Sequence, residues 1–240
     1  MNTSAGDDRG EMEGRSRQQQ APRTVAAIEG REIAISAESA ILPGSLTVPV
    51  DARGLVVFAH GSGSSRFSSR NRQVAGVLHE SGLATLLFDL LTPVEEDDRR
   101  KVFDIVLLAD RLAAATRWLA VDPVLSRMPI AYFGASTGGA AALWAAAENT
   151  DIAAIVSRGG RPDLAGPRLA EVRAPTLLIV GGLDGVVLGL NRDALEQLAC
   201  EAELRIVEGA THLFEESGAL EEVASLARAW FLRHLTPRLA

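Results

Sequence analysis

Three side chains that together could perform nucleophilic chemistry follow separate apolar runs of the sequence. Ser136 lies within a G-x-S-x-G segment, Asp184 follows the run 176–180, and His212 follows the run 204–207. A serine hydroxyl is a poor nucleophile at neutral pH, so a histidine must take its proton and a carboxylate must orient that histidine. These residue types predict acyl transfer, with Ser136 as nucleophile, His212 as general base and Asp184 as the acid.

The segment around Ser136 has the pattern of a nucleophile elbow, a sharp turn between a strand and a helix. An apolar run at 130–133 precedes it and an alanine-rich helical pattern follows it, as that motif requires. Such a turn crowds its neighbours, so Gly134 and Gly138 are expected where a side chain would clash. The alternative is that Ser136 only caps the following helix.

The oxyanion of a tetrahedral intermediate needs two aimed hydrogen-bond donors. One should be the backbone N–H of Thr137, the residue after the nucleophile. The other should be the backbone N–H of Ser62, in the turn His60-Gly61-Ser62 after the first continuous apolar run. Gly63 is the alternative second donor.

Other residues could replace the acid and the base. Asp163 follows the preceding strand and is the alternative acid, but an acid after the penultimate strand is the commoner arrangement. His79 and His234 fall inside helical patterns, and His60 is expected to be structural, bonding the loops behind the oxyanion turn. His212 therefore fits the role of base best.

Arg158 follows the apolar run 152–156, at the sheet edge where Ser136 is expected. Its fork of donors suits a carboxylate or another polar group of a substrate. The alternatives are a salt bridge with Asp163 and a hydrogen bond to a loop carbonyl.

The elements that must position these residues alternate between strands and helices. Continuous apolar runs predict strands covered on both faces, and amphipathic patterns predict the helices between them. The chain is therefore predicted to be an α/β protein with a mostly parallel sheet and helices on both faces. The predicted strands are 55–59, 84–88, 130–133, 152–156, 176–180 and 204–207, and the predicted helices are 72–80, 103–120, 191–200 and 220–235 besides the one after Ser136.

Three further segments complete the organisation. Residues 24–50 carry two or three short β runs, which predict an antiparallel lead-in, and the charged run 95–100 is expected to be a solvated loop. Only 158–174 joins two of the strands, which is enough for one short helix and predicts an open, shallow site without a lid domain. Residues 1–22 are polar and predicted to be a disordered tail, with one domain at 23–240.

Composition excludes several classes of function. The 240 residues are 47% hydrophobic and 23% charged, and the net charge of −7 does not favour nucleic acid. No apolar run is long enough to span a membrane, and one cysteine provides neither a disulfide nor a metal cluster. The segment 61–66 resembles the dinucleotide-binding pattern G-x-G-x-x-G, but Arg66 occupies the position of the third glycine, which disfavours nucleotide binding. We expect a cytoplasmic protein with no cofactor and no metal.

The segments HGSGSS, FDLLT, GASTGG, VSRGGRPDLA, GGLDGVV and GATHLF resemble those of α/β-hydrolases, and the chain is similar to the dienelactone-hydrolase-like group over about residues 24–235. The order Ser…Asp…His is that of the α/β-hydrolase triad. The chain also resembles hydrolase segments that are fused, in some bacterial proteins, to a phosphoribosyltransferase-like half. Dienelactone hydrolases proper use a cysteine where this chain has Ser136.

The resemblance implies a serine hydrolase that acts on small carboxylic esters. Thioesters, lactones or peracid formation are the alternatives that use the same triad. A binding or regulatory module on a hydrolase scaffold is the alternative from another class, and a homodimer is one candidate assembly.

Overall fold

Eight strands form one sheet in a computed structural model that describes residues 1–2, 30–38 and 40–235. The order across the sheet is β1-β2-β4-β3-β5-β6-β7-β8. The strands are β1 Arg31–Ala37, β2 Ala40–Thr47, β3 Leu55–Ala59, β4 Ala84–Phe88, β5 Ile130–Ala135, β6 Ile152–Arg158, β7 Thr176–Gly181 and β8 Ala202–Val207.

Helices connect the strands and cover both faces of the sheet. The α-helices are α1 Ser69–Glu80, α2 Pro93–Glu96, α3 Arg99–Val102, α4 Ile105–Ala120, α5 Thr137–Glu148, α6 Gly185–Gln197 and α7 Ala219–His234, with 3₁₀ segments at Leu125–Arg127 and Pro162–Glu171. β2 pairs antiparallel with β1 and β4, and the strands from β4 to β8 pair in parallel. The predicted α/β fold with a mostly parallel sheet is therefore confirmed.

The core consists of two apolar layers, one on each face of the sheet. α1 and α7 pack on one face, where Leu78 and Phe231 are fully buried. α4 and α5 pack on the other, where Leu112 and Leu143 are fully buried. Because all five residues of β3 are buried, that strand has no polar alternation, as expected for a central parallel strand.

Several predicted boundaries were wrong by a few residues, and the local capping explains two of them. α1 begins three residues before Arg72, where the Ser68 hydroxyl accepts a hydrogen bond from the Asn71 N–H at 3.3 Å. α4 begins at Ile105, because Asp104 accepts a hydrogen bond from the Leu107 N–H at 3.0 Å.

Two larger differences concern α6 and the charged run 95–100. α6 begins at Gly185, six residues before the predicted Asn191, and ends at Gln197 rather than Cys200. The charged run is not a simple solvated loop, because it lies largely in α2 and α3, and its Glu95 is half-buried.

The prediction that no lid domain lies between β6 and β7 is confirmed for the described residues. The connection is the 3₁₀ segment, kinked at Gly166, where φ is 45°. The predicted tail at 1–22, apart from Met1 and Asn2, and the first predicted β run up to residue 29 lie outside the described residues.

Candidate active site

Ser136 occupies a strained turn between β5 and α5. Its backbone has φ 51° and ψ −120°, which a non-glycine residue rarely adopts. A Cβ at Gly134 would lie 2.4 Å from the Gly138 carbonyl oxygen, and a Cβ at Gly138 would lie 2.1 Å from the Ala59 carbonyl oxygen. Both contacts are with backbone, so the expectation that these glycines permit the turn is confirmed.

The hydroxyl of Ser136 does not serve α5 as a cap. The structure gives this residue the N-cap position but no capping hydrogen bond from its side chain. Its carbonyl oxygen accepts hydrogen bonds from the N–H groups of Gly139 at 3.0 Å and Arg161 at 3.1 Å. The backbone of the turn is held while the hydroxyl is left for another role, so the reading as a simple helix cap is wrong.

Asp184 and His212 form a short hydrogen bond. Nδ1 of His212 lies 2.6 Å from Oδ2 of Asp184, and the two side chains are 38% and 14% exposed. Because Nδ1 is engaged by the carboxylate, Nε2 is the ring nitrogen available to a serine proton. The alternative acid, Asp163, instead forms two hydrogen bonds with Arg161, at 2.8 and 2.7 Å.

The imidazole and the serine lie on adjacent backbone segments. The Ser136 N–H donates to the Arg158 carbonyl oxygen at 3.2 Å. The next residue, Gly159, faces the imidazole: a Cβ built there would lie 3.5 Å from both Cε1 and Nδ1 of His212. Among the hydrogen bonds of the described residues there is none between Ser136 Oγ and His212, a contact that often tightens only when substrate binds.

The two residues predicted to supply the oxyanion donors are in contact. The Ser62 N–H donates to the Thr137 hydroxyl at 3.1 Å, so an oxyanion bound here would have to replace that hydroxyl. Thr137 is the first residue of α5, and its own N–H has no acceptor within the helix. A Cβ at Gly61 would lie 3.0 Å from the Ser136 Cβ, so the loop and the elbow are in close backbone contact.

His60 has the structural role expected of it. Its Nδ1 donates to the Gly61 carbonyl oxygen at 3.0 Å, and its Nε2 accepts from the Leu90 N–H at 3.0 Å. Burial lowers the pKa of His60 from its usual value, so the ring is neutral at pH 7. It joins the loop that carries Ser62 to the segment after β4.

Arg158 is buried on the face of the sheet that α1 and α7 cover. The residue is 8% exposed, and its guanidinium carbon lies 6.0 Å from the centre of the Phe214 ring. Burial, with a smaller effect of the nearby Arg70 charge, lowers the pKa of Arg158 to about 10. Its Nε and Nη1 have no hydrogen-bond partner among the described residues.

The predicted alternative of a salt bridge between Arg158 and Asp163 is wrong, because Asp163 pairs with Arg161. Substrate binding by Arg158 stays a prediction. This side chain does not line the cavity that opens beside the elbow.

A cavity of about 400 Å³ opens beside the elbow, on the side of β3 and β4. The loop 60–65 and Thr137 form one wall. The opposite wall comes from the segment after β4 and from α4, which the sequence analysis missed; its residues are Leu90, Leu91, Glu96, Asp97, Val102 and Leu108. Their position after the carboxyl end of a parallel strand was the available signal.

None of the helices in the described residues has the length and apolarity needed to cross a bilayer. The same part of the chain contains no group of three or more histidine, cysteine, aspartate and glutamate side chains placed to hold a metal ion.

The sheet order, the strained serine turn and the adjacent Asp184–His212 pair are those of the α/β-hydrolase fold. A solved dienelactone hydrolase from Anabaena variabilis is 54% identical in sequence, with a TM-score of 0.84, over 87% of this chain and 99% of that one. The chain therefore belongs to the dienelactone-hydrolase-like family of α/β-hydrolases, and hydrolase activity is the function that these similarities support.

More distant structures share the fold alone. Est1E from Butyrivibrio proteoclasticus is 18% identical with a TM-score of 0.73, over 86% of this chain and 99% of that one. An esterase from Pyrococcus furiosus is 20% identical with a TM-score of 0.72, over 90% of this chain and all of that one.

Among curated proteins, a Mycobacterium tuberculosis protein provisionally named a phosphoribosyl transferase is 58% identical over 209 residues, which are 87% of this chain and 47% of that protein. The chain thus spans about half the length of this relative. No protein-family model matches the chain.

Proposed function

We propose that the protein is a serine hydrolase that cleaves small carboxylic esters through an acyl-enzyme. The observation that carries the proposal is the 2.6 Å bond between His212 Nδ1 and Asp184, beside a serine held in a strained strand–helix turn. A non-glycine residue at φ 51° and ψ −120° is strained, and such strain is concentrated at active sites. Similarity to a dienelactone hydrolase adds support for hydrolysis, while the ester substrate is our inference from the site.

In the proposed reaction, Ser136 Oγ attacks the ester carbonyl carbon as His212 Nε2 takes its proton. The N–H groups of Thr137 and Ser62 stabilise the oxyanion, the latter after releasing the Thr137 hydroxyl. His212 then returns the proton to the leaving alcohol, and the acyl group remains on Ser136. Water, deprotonated by His212, attacks the acyl carbon. The bond to Ser136 Oγ then breaks, His212 returns the proton to Oγ, and the acid is released. Asp184 keeps the ring in the required tautomer and stabilises its protonated form.

The transferase name belongs to a relative about twice as long as the matched region. The 209 residues that this chain shares with it have the fold of a hydrolase, which favours hydrolysis for this chain.

The test compares wild type, Ser136→Ala and the control Ser126→Ala. Ser126 is an exposed serine before β5, at the opposite end of that strand from the elbow. We expect 4-nitrophenyl butyrate turnover and labelling by a fluorophosphonate probe in wild type and Ser126→Ala, and neither in Ser136→Ala. Turnover retained by a folded Ser136→Ala protein, or a label on another residue, would refute the nucleophile.

A wild-type protein that neither hydrolyses esters nor takes the label would refute the catalytic proposal and favour a binding module. If thioesters or lactones were turned over much faster than esters, the triad would stand and the substrate class would change.

A further inference from the structure

We propose that the cavity beside the elbow holds the acyl chain of the substrate, and that its acidic rim selects neutral or cationic acyl chains over anionic ones. The inference rests on the proposed function and specifies its substrate class. It depends on three observations: the side of the serine on which the cavity lies, the apolar character of its far wall, and the charges at its mouth.

The side of the serine follows from sheet order. His212 lies against Gly159, just after β6, and its acid Asp184 follows β7. The cavity lies on the other side of β5, at the carboxyl ends of β3 and β4. Because His212 must protonate the leaving group, that group has to lie on the β6 side. The acyl chain then extends in the other direction, into the cavity.

Besides Glu96 and Asp97, the far wall of the cavity consists of four apolar side chains. Leu90, Leu91 and Leu108 are buried, and Val102 is half-buried. An acyl chain packed against these side chains would gain at most about 0.8 kcal/mol for each methylene group, the value for full burial. The wall thus suits a short aliphatic chain.

Glu95 fixes the segment that carries this wall. Its carboxylate accepts a hydrogen bond from the Thr92 N–H at 2.9 Å, and it pairs with Lys101 at 3.3 Å and with Arg111 at 3.2 Å. Arg111 also donates to the Ala37 carbonyl oxygen at 2.6 Å, which ties the segment to β1. The charge of Glu95 is therefore balanced inside the fold, and the two nearest cations are used.

The next two residues, Glu96 and Asp97, provide the acidic rim. Both are exposed, both line the cavity, and neither forms an ion pair with the described residues. Glu96 lines the same cavity as His60 and the loop 60–65, so its charge lies near the oxyanion loop.

Among the residues that the structure describes, no lysine or arginine lines the cavity, and the cations near its mouth have other partners. Arg100 pairs with Asp98 at 3.0 Å, and Arg66 pairs with Asp89. Arg99 lies over the Phe103 ring at 5.7 Å. Since His60 is neutral, the described side chains of the wall carry two negative charges and no positive one, so they repel an anionic chain end.

The experiment uses three esters whose acyl chains have nearly equal length and end in a methyl group, a carboxylate or a quaternary ammonium group: 4-nitrophenyl hexanoate, mono-4-nitrophenyl adipate and 4-nitrophenyl 6-(trimethylammonio)hexanoate. We expect kcat/KM for the adipate ester to be about tenfold below that of the hexanoate ester at low salt. The gap should narrow as ionic strength rises, because the rim is exposed.

The test variant is Glu96→Gln/Asp97→Asn, and the matched control is Asp193→Asn/Glu196→Gln. The control removes two exposed carboxylates from α6 and gives the same change in net charge. We expect the adipate penalty to fall to about threefold in the test variant and to stay near tenfold in the control. Equal kcat/KM for all three esters in wild type, a preference for the adipate ester, or equal effects of both double variants would overturn the proposal.

Binding of the corresponding ethyl esters to Ser136→Ala, measured by saturation-transfer NMR, supplies a readout that needs no turnover. The same order of affinity, with the monoethyl adipate weakest, is expected there. If wild type fails to hydrolyse esters but this order holds, the proposed function fails and the selectivity of the cavity stands. If hydrolysis occurs and the order is absent, only the selectivity fails.

Discussion

Asp184→Asn tests the contact on which the proposed catalysis depends. The substitution keeps the size of the side chain but removes its charge, and it can donate a hydrogen bond to Nδ1 of His212 and so favour the wrong tautomer. The 2.6 Å distance and the 14% exposure of Asp184 mean that water does little to replace the lost interaction.

The expected loss in kcat is about 10⁴-fold, the size seen when the acid of a serine triad is converted to its amide. At about 1.36 kcal/mol for each factor of ten, this corresponds to about 5.4 kcal/mol of transition-state stabilisation. The matched control is Asp163→Asn, which removes the ion pair with Arg161. The Arg161 side chain is 36% exposed and the Asp163 side chain is 27% exposed. Losing such a pair costs at most about 1 kcal/mol of stability. Because the hydrogen bonds of the Asp163 side chain go to Arg161 and not to His212, we expect kcat to stay within about threefold.

The assay is the steady-state hydrolysis of 4-nitrophenyl butyrate, with circular dichroism and thermal unfolding to show that each variant is folded. If Asp184→Asn kept kcat within tenfold of wild type, the role of Asp184 would be refuted. If Asp163→Asn lost activity instead, the acid would have to be reassigned to Asp163.

Three further predictions concern the frame of the site. Gly138→Ala should lower the free energy of unfolding by about 3 kcal/mol or more, because its Cβ would lie 2.1 Å from the Ala59 carbonyl oxygen, whereas Gly76→Ala, where a Cβ meets nothing within 4 Å, should be neutral or stabilising in urea denaturation. Burial lowers the pKa of His60, so below about pH 6.5 the unfolded chain binds a proton that the folded chain does not, and the protein should become less stable as the pH decreases. In thermal scans from pH 7.5 to 5, this loss of stability should be smaller in His60→Gln. An equal loss in both proteins would contradict the prediction. Since only a short 3₁₀ segment joins β6 and β7, hydrolysis rates should show no jump when an ester passes its critical micelle concentration, and a sharp rise there would argue for a moving lid.

The strands could be predicted from the sequence because each central strand is a short, continuous apolar run. The predicted strand at 55–59 matches β3 at both ends. Ser136, Asp184 and His212 could be singled out for the same reason: each lies just after such a run, at the carboxyl end of a parallel strand.

Other features depended on contacts that local pattern does not encode. Gly185 and Gly189 have low helix propensity, so the first six residues of α6 were missed, although packing of Val187 and Leu188 stabilises them there. The charged run after β4 was predicted to be a solvated loop because Arg111, the ion-pair partner of Glu95, lies in α4 and not within the run itself.

Arg158 shows a third limit of the sequence. Because a strand buried on both faces has no alternation of polar and apolar residues, the sequence does not indicate on which face of the sheet the Arg158 side chain lies. The engagement of the Ser62 N–H by the Thr137 hydroxyl was equally beyond prediction, since 75 residues separate the two.

The close backbone contact between the loop at 60–63 and the elbow has a consequence for how this protein could acquire new substrates. Gly61 and Gly138 leave no room for a side chain between the two segments, so a mutation that shifts one also shifts the other and disturbs the reacting geometry. The segment 90–102 borders the same cavity from the opposite side and is anchored mainly through Glu95. Mutant libraries aimed at altered selectivity should therefore randomise positions 96, 97 and 102 while holding the glycines constant.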